Sequence, residues 1–167
     1  MGEGGRRRRW WGPVLAVTSR LQPDPFDPAD ELRAFSAGRT ADGAIVSFTG
    51  LARSQAHSGE AVERLVLDHY PGMTERSIDE IAQAGAGRFE VSDVLVVHRH
   101  GEIAPGEAIV FVAAASLHRG EAFACADYLM DRLKTEAAFW KREQGPGGSR
   151  WIDPTDQDRA RLARWSD

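Results

Sequence analysis

The sequence holds one cysteine in 167 residues. A disulfide framework and a multi-cysteine zinc site are therefore both excluded. No apolar run approaches the roughly 20 residues that a helix needs to cross a bilayer. A basic excess is also missing: 21 basic side chains face 25 acidic ones, for a net charge of -4. Bulk electrostatics thus give no reason to expect nucleic acid or an anionic membrane as partner. There is no internal repeat. What is present is an ordinary globular composition, 42% hydrophobic and 28% charged, which argues against disorder. A chain of 18.3 kDa fits one domain, which buries roughly 70% of its unfolded surface.

The first eleven residues, MGEGGRRRRWW, stand apart. They carry four arginines and one glutamate, a local charge of +3, so the remainder carries -7. A signal peptide needs an apolar stretch of about 7 to 15 residues after its basic part. Here Gly12-Pro13 interrupts, and Val14-Leu15-Ala16-Val17 is too short. Residues 1–11 are read as a solvated, disordered leader and 12–167 as a single domain. With no export signal, a cytoplasmic location and a reduced Cys125 are expected.

Patterning predicts about five strands and four helices in the order β α β β α β β α β α. Val14 to Thr18 reads as a short strand. Asp27-Pro28 opens a helix, with Asp27 as N-cap, Leu32 and Phe35 inward, and Gly38 as its end. GAIVSFTG (43–50) and residues 62–70 read as strands, with a polar loop over 54–60. Residues 73 to about 89 read as a helix with Met73, Ile78, Ile81 and Ala82 inward; Gly85 and Gly87 weaken its last turn. Residues 91–100 and AIVFVAAASL (108–117) are strands. Residues 119–138 give the strongest helix, with Ala122, Phe123, Ala126, Leu129, Met130, Leu133 and Ala137 at helical spacing. Phe139 to Arg142 extends, a glycine loop at 145–148 follows, and Asp153-Pro154 caps a last short helix. Strand pairs without helices between them imply α+β with a mixed or antiparallel sheet.

Candidate chemistry lies at element ends. Arg53 follows one strand; His118 and Arg119 sit where a strand meets the long helix; Lys134 lies in that helix's last turns; Lys141 follows in the next extended segment. Such junctions favour function, since a rigid scaffold presents a flexible tip. A helix N-terminus beside His118-Arg119 attracts anions, and Lys134 borders the apolar stripe, so its stem packs while its amine reaches out. Together they suggest an anionic small ligand; a scatter of solvated charges is the competing reading. Cys125, mid-helix with no local histidine, reads as a structural hydrophobe. His98 and His100 share a strand face, but a zinc site would need His118 as third ligand, and no carboxylate motif supports one. No metal and no cofactor are expected.

The blocks GAIVSFTGLAR (43–53), LVLDHYPGMTERSIDEI (65–81), VLVVHRHGEIAPGEAIVFVAAASLHRGEAF (94–123), MDRLKTEAAFWKRE (130–143) and RWID (150–153) closely resemble the large, catalytic subunit of molybdopterin synthase. The resemblance runs from about residue 12 to the C-terminus. It implies an α/β-hammerhead-type fold with a second α+β portion and a long helix preceding the active-site segment. It also implies sulfur transfer to cyclic pyranopterin monophosphate, which makes the molybdopterin dithiolene. The sulfur donor would be the C-terminal Gly-Gly thiocarboxylate of a small ubiquitin-like carrier subunit. The large subunits would form a homodimer with a carrier at each end, a heterotetramer. By the same resemblance Lys134 and Lys141 are catalytic, with Lys134 the principal residue. Arg53, His118 and Arg119 bind substrate, the HR pair serving this pocket or the neighbouring subunit's. Arg99 in HRHG matches too and is read as structural.

The residue types suit the chemistry. Pterin phosphate and thiocarboxylate are both anions, and Arg53, Arg119 and His118 can hold phosphate by charge-assisted hydrogen bonds. Two crowded amines can neutralise developing charge and move protons. Departures from the family pattern are Ala138, where proline is common, and Thr155, near a position where relatives can carry an arginine. The leader has no family counterpart. Two other readings stand beside the synthase: a non-catalytic scaffold that binds a ubiquitin-like sulfur carrier, and an RNA-binding module using RRRRWW. A pure scaffold has no need for both lysines.

Overall fold

In the computed structural model, residues 15–166 are described. The leader and Val14 lie outside the described residues. The elements are β1 (Ala16–Gln22), α1 (Pro28–Ser36), β2 (Ala44–Leu51), β3 (Arg64–His69), α2 (Met73–Arg88), β4 (Asp93–Arg99), β5 (Gly101–Ile103), β6 (Ala108–Ser116), α3 (Arg119–Glu136), β7 (Phe139–Gly145), β8 (Gly148–Ile152) and α4 (Asp156–Ala163).

They form two four-stranded sheets. The first has the order β1-β4-β6-β2 and is mixed: β1 runs parallel to β4, and the other pairs are antiparallel. Both of its faces are covered. Val94, Val96, Val110, Val112 and Ala114 meet α2 and α3 through Ile78, Ile81, Ala82, Cys125, Leu129 and Leu133. The alternate residues Leu95, Val97, Phe111, Ala113 and Ala115 pack with Phe35 of α1. A strand buried on both sides reads as one continuous apolar run, which is why AIVFVAAAS shows no alternation. The second sheet, β5-β3-β7-β8, is antiparallel throughout. Its inner face shares a smaller core of Ala52, Leu67 and Ile103 with Phe139 beside it.

Gly85 does not weaken the end of α2, which runs on to Arg88. A Cβ there would lie 2.8 Å from Leu129 Cδ2 and 3.5 Å from Cys125 Sγ, so glycine permits the close crossing of α2 over α3. The alternation and periodicity misplace several side chains. Met73 is 61% exposed because it begins α2 and projects beyond the sheet. Phe123 is 62% exposed: the buried stripe of α3 runs through Ala122, Cys125, Ala126, Leu129 and Leu133, and Phe123 lies one residue round from it. Leu32 is exposed as well; α1 buries only Phe35. The glycine-turn segment after β4 forms β5, too short for pattern to register. The last helix starts later than Asp153-Pro154 implied. Thr155 is its N-cap, accepting from the Asp158 N–H at 3.1 Å, while the Asp158 carboxylate accepts from the Thr155 N–H at 2.9 Å. This reciprocal pair satisfies two donors that proline at 154 cannot.

Candidate active site

The chain has 21 basic residues, and only two are lysines: Lys134 and Lys141. Arginine serves everywhere else. Lysine differs in that its amine loses a proton readily when crowded or desolvated. The fold brings these two together.

Lys134 is in the last turn of α3. There the helix carbonyls favour a cation. The helix stops because Ala137 turns extended, at ψ 129°. Two hydroxyls of α2 clamp that exit: Thr74 Oγ1 donates to the Ala138 carbonyl at 2.7 Å, and the Ala138 N–H donates to Ser77 Oγ at 3.1 Å. Alanine at 138 therefore leaves the chain no freer to wander than a proline would. Directly after this clamp β7 begins, and it presents Lys141 on the same inner face as Phe139. The cross-strand partners of Lys141, Leu67 and Ile152, are apolar. Lys141 is mostly buried, and desolvation lowers its amine pKa. The nearby Lys134 charge lowers it further, and Asp158 partly opposes both.

Asp158 is the third member of the cluster. Its Oδ1 lies 3.5 Å from Lys134 Nζ. Burial would raise its carboxyl pKa, but the Thr155 hydroxyl and N–H and the Lys134 ammonium hold it below the usual value. Helix α4 is fixed on α3 by a separate anchor. The buried Asp131 carboxylate accepts from Arg164 Nη2 and Trp165 Nε1, both at 2.7 Å. The Trp165 ring meets Phe89 and Tyr128 edge-on. Pattern reading missed Asp158, because nothing in a short polar helix marks which acid faces inward. The capping box T-D-Q-D was the available signal.

His98 closes the inner side. Its ring stacks on Phe139, centroids 4.4 Å apart. Nδ1 lies 2.8 Å from the Arg99 carbonyl oxygen, which can only accept, so Nδ1 carries the hydrogen. Burial depresses the imidazole pKa to about 4, and the Lys141 charge adds to this. Arg99 is structural as expected: buried, it donates to Glu107 at 2.7 Å and to the Pro23 and Glu102 carbonyls. The His100 ring lies against His69 at a tilt, centroids 3.9 Å apart.

The remaining basic residues divide. Arg53 follows β2, whose end pairs with Ala108 at the start of β6. Helix α3 runs back along β6 and β2, so its last turn returns to that same end of the sheet. Arg53 borders an open groove of about 780 Å³ with Ser54, Gln55, His57, Pro105 and Gly106. His118 and Arg119 lie at the other end. Fifteen residues separate Arg119 from Lys134 along α3, about 22 Å at the helical rise. One chain therefore does not bring the HR pair to its own lysines. The same separation denies His98 a third zinc ligand in His118. Arg53, His118 and Arg119 are exposed and make no ion pair among the described residues. No group of three metal-ligating side chains occurs among the described residues. Cys125 is buried in the core, and desolvation pushes its thiol up to about 12.

Comparison with known proteins gives a consistent result. The family model described as MoaE protein matches residues 21–136. A molybdopterin synthase catalytic subunit from Caulobacter vibrioides is 53% identical over 145 residues, 87% of this chain and 95% of that one. The molybdopterin biosynthesis MoaE protein from Burkholderia ambifaria superposes with a TM-score of 0.74 at 44% identity, covering 89% of this chain and 97% of that one. A complex of subunits 1 and 2 of molybdopterin-converting factor from Helicobacter pylori shares the fold, with a TM-score of 0.65 at 16% identity over 83% of this chain and 91% of that one. The two-sheet α+β architecture agrees with these likenesses, and the chain belongs to the MoaE protein family.

Proposed function

We propose that this chain works as the catalytic subunit of molybdopterin synthase, with the cleft around Lys134, Lys141 and Asp158 as its reaction centre. The observation that carries the reading is the confinement of lysine to two positions near enough for one charge to act on the other, with Asp158 beside both. A protein that uses arginine for every other cation keeps lysine where a titratable amine is needed. A sulfur-carrier scaffold without catalysis would work equally well with arginine at both sites.

The donor is a thiocarboxylate at the C-terminal Gly-Gly of a small ubiquitin-like carrier, and the acceptor is cyclic pyranopterin monophosphate. The thiocarboxylate sulfur attacks a side-chain carbon of the pterin; an S–C bond forms as that carbon's C–O bond breaks, its oxygen leaves with a proton as the phosphate oxygen or as water, and the carrier is left acyl-linked through sulfur. Water then cleaves the acyl C–S bond, releasing the carrier as a carboxylate and leaving sulfur on the pterin. Two such rounds give the dithiolene. Lys134 holds the incoming anion by its ammonium, displacing Asp158. Lys141, with its lowered proton affinity, accepts and returns the proton that each round moves. Arg53, at the same end of the sheet, holds the pterin phosphate. His118 and Arg119 contribute to the pocket of a second copy, since their own lysines are about 22 Å away along α3. The proposed assembly is a homodimer with one carrier per protomer, in the cytoplasm.

The test is dithiolene formation from the pterin and thiocarboxylated carrier by the intact chain. Turnover that survives Arg53→Ala and Lys141→Ala unchanged would refute the assigned roles.

A further inference from the structure

Arg53 stands at the root of a small hairpin, residues 54–62, whose own side chains the reaction described above does not use. The hairpin is closed by its backbone. The Val62 N–H donates to the Ser54 carbonyl and the Ala56 N–H to the Glu60 carbonyl, both at 2.9 Å, and Gly59 turns the tip at φ +88°. Ala56 and Val62 are buried beneath it. Its root is pinned to the far wall: the Gly106 N–H donates to the Ala52 carbonyl at 2.8 Å, and the Ala52 N–H to the Glu107 carbonyl at 2.9 Å. Arg53, Gln55 and His57 line one side of the 780 Å³ groove, with Pro105 and Gly106 on the other. Behind the hairpin, Glu60 and Ala61 border a second opening of about 520 Å³ against the β7–β8 turn. The hairpin is thus a wall between two openings, and its position sets where Arg53 stands.

One side chain holds that wall to the second sheet. Arg150 of β8 donates from Nη1 to Ser58 Oγ at 3.0 Å and to Glu60 Oε2 at 3.1 Å, and from Nη2 to Glu143 Oε2 at 2.5 Å. Among the described residues, the hairpin's side chains hydrogen-bond outside it at Arg150 alone. Glu143 is the cross-strand neighbour of Arg150, and it lies two residues beyond Lys141 on the same face of β7. A lone exposed ion pair would hold little, but here three acceptors share one planar fork, and the Glu143 side chain is only 14% exposed. Without the guanidinium the Glu60 and Glu143 carboxylates would repel across the same gap.

We propose that Arg150 is a positioning residue for Arg53: it latches the 54–62 hairpin to β7, and so fixes the Arg53 guanidinium relative to the strand that carries Lys141. This rests on the reading of Arg53 as the ligand of the pterin phosphate.

The experiment compares the full chain with its Arg150→Gln variant in two measurements. Amide hydrogen exchange over residues 54–63 reads the latch with no ligand present. A rise of about tenfold is expected there, with α3 unchanged. The calorimetric Kd for cyclic pyranopterin monophosphate reads the consequence, and a weakening of about fivefold is expected. The same Kd is then measured in Arg53→Ala and in the double variant. If Arg150 acts through Arg53, its loss adds nothing once Arg53 is gone. Should Arg150→Gln fail to fold, Glu60→Gln removes the hairpin's own acceptor at an exposed position and carries the same test. Unchanged exchange over 54–63 overturns the proposal, and so does an unchanged Kd. An equal weakening on the Arg53→Ala background also overturns it, since Arg150 would then act by another route. A wild-type chain that binds no pterin would refute the reading of Arg53 itself. The exchange comparison needs no ligand, so that failure is told apart from a failure of the latch.

Discussion

Lys134 Nζ stands 3.5 Å from Asp158 Oδ1, and the Asp158 carboxylate is at the same time the capping acid of its own helix. One acid thus ties the last turn of α3 to the first turn of α4, beside a second amine. Lys134 keeps 60% of its side chain in solvent and Asp158 only 17%, so the pair is an accessible cation against a sheltered anion. An exposed pair of this kind contributes little to stability. Its effect is on charge.

Asp158→Asn removes the anion that supports the Lys141 ammonium. The Lys141 amine then loses its proton at lower pH, and the matching limb of the pH–activity profile moves to the acid side by about half a unit to one unit. The weakened cap costs about 1 kcal/mol. A pH profile identical to wild type would mean that Asp158 does not act on the amine.

His98 makes stability depend on acid. Its pKa is lowered from 6.5 to about 4 by burial. In that window the unfolded chain binds the proton and the folded chain does not, so stability is full above about pH 6.5 and declines as pH falls toward 4. The contribution lost is about 3 kcal/mol. Denaturant midpoints at pH 7, 5 and 4 should show this decline in wild type and a smaller one in His98→Gln.

Cys125 is expected to resist thiol reagents in the folded protein. Its thiol is buried and its pKa is raised to about 12, first by desolvation and then by Glu121; the thiolate is the reactive form. Labelling at pH 8 should be negligible until denaturant unfolds the chain. Rapid native labelling would contradict the packing of α3 on the sheet.

Two glycines should respond oppositely to alanine. At Gly145, the last residue of β7, a Cβ would meet the Ala61 carbonyl oxygen at 2.2 Å, a backbone atom that cannot step aside. Gly145→Ala is expected to cost about 1–3 kcal/mol. At Gly87 a Cβ meets nothing within 4 Å, inside α2. Gly87→Ala is expected to stabilise by about 0.5–1 kcal/mol. Thermal unfolding of the two variants checks both signs.

Much of the molecule is legible in its sequence, and the limits have physical causes. Asp27-Pro28 marks the start of α1 because cap and first-turn chemistry are local. The doubly buried β4 and β6 announce themselves as apolar runs. Phe123 and Met73 mislead because apolar character does not say which way a side chain points from a helix edge or end. The lysine pair is visible in sequence, but its partner Asp158 is not. That contact needs the Asp131–Arg164–Trp165 anchor that seats α4, a long-range arrangement that no local pattern encodes. Arg53, His118 and Arg119 look alike as junction residues. Only the antiparallel return of α3 along β6 shows that Arg53 shares an end of the sheet with the lysines and the other two do not.

The most direct test of the reaction centre is single-turnover product formation by Lys134→Ala with thiocarboxylated carrier and cyclic pyranopterin monophosphate. Loss of at least about 100-fold in rate, with carrier binding and fold retained, is the expected result. Wild-type turnover in that variant would contradict the assignment of Lys134 as the principal catalytic residue.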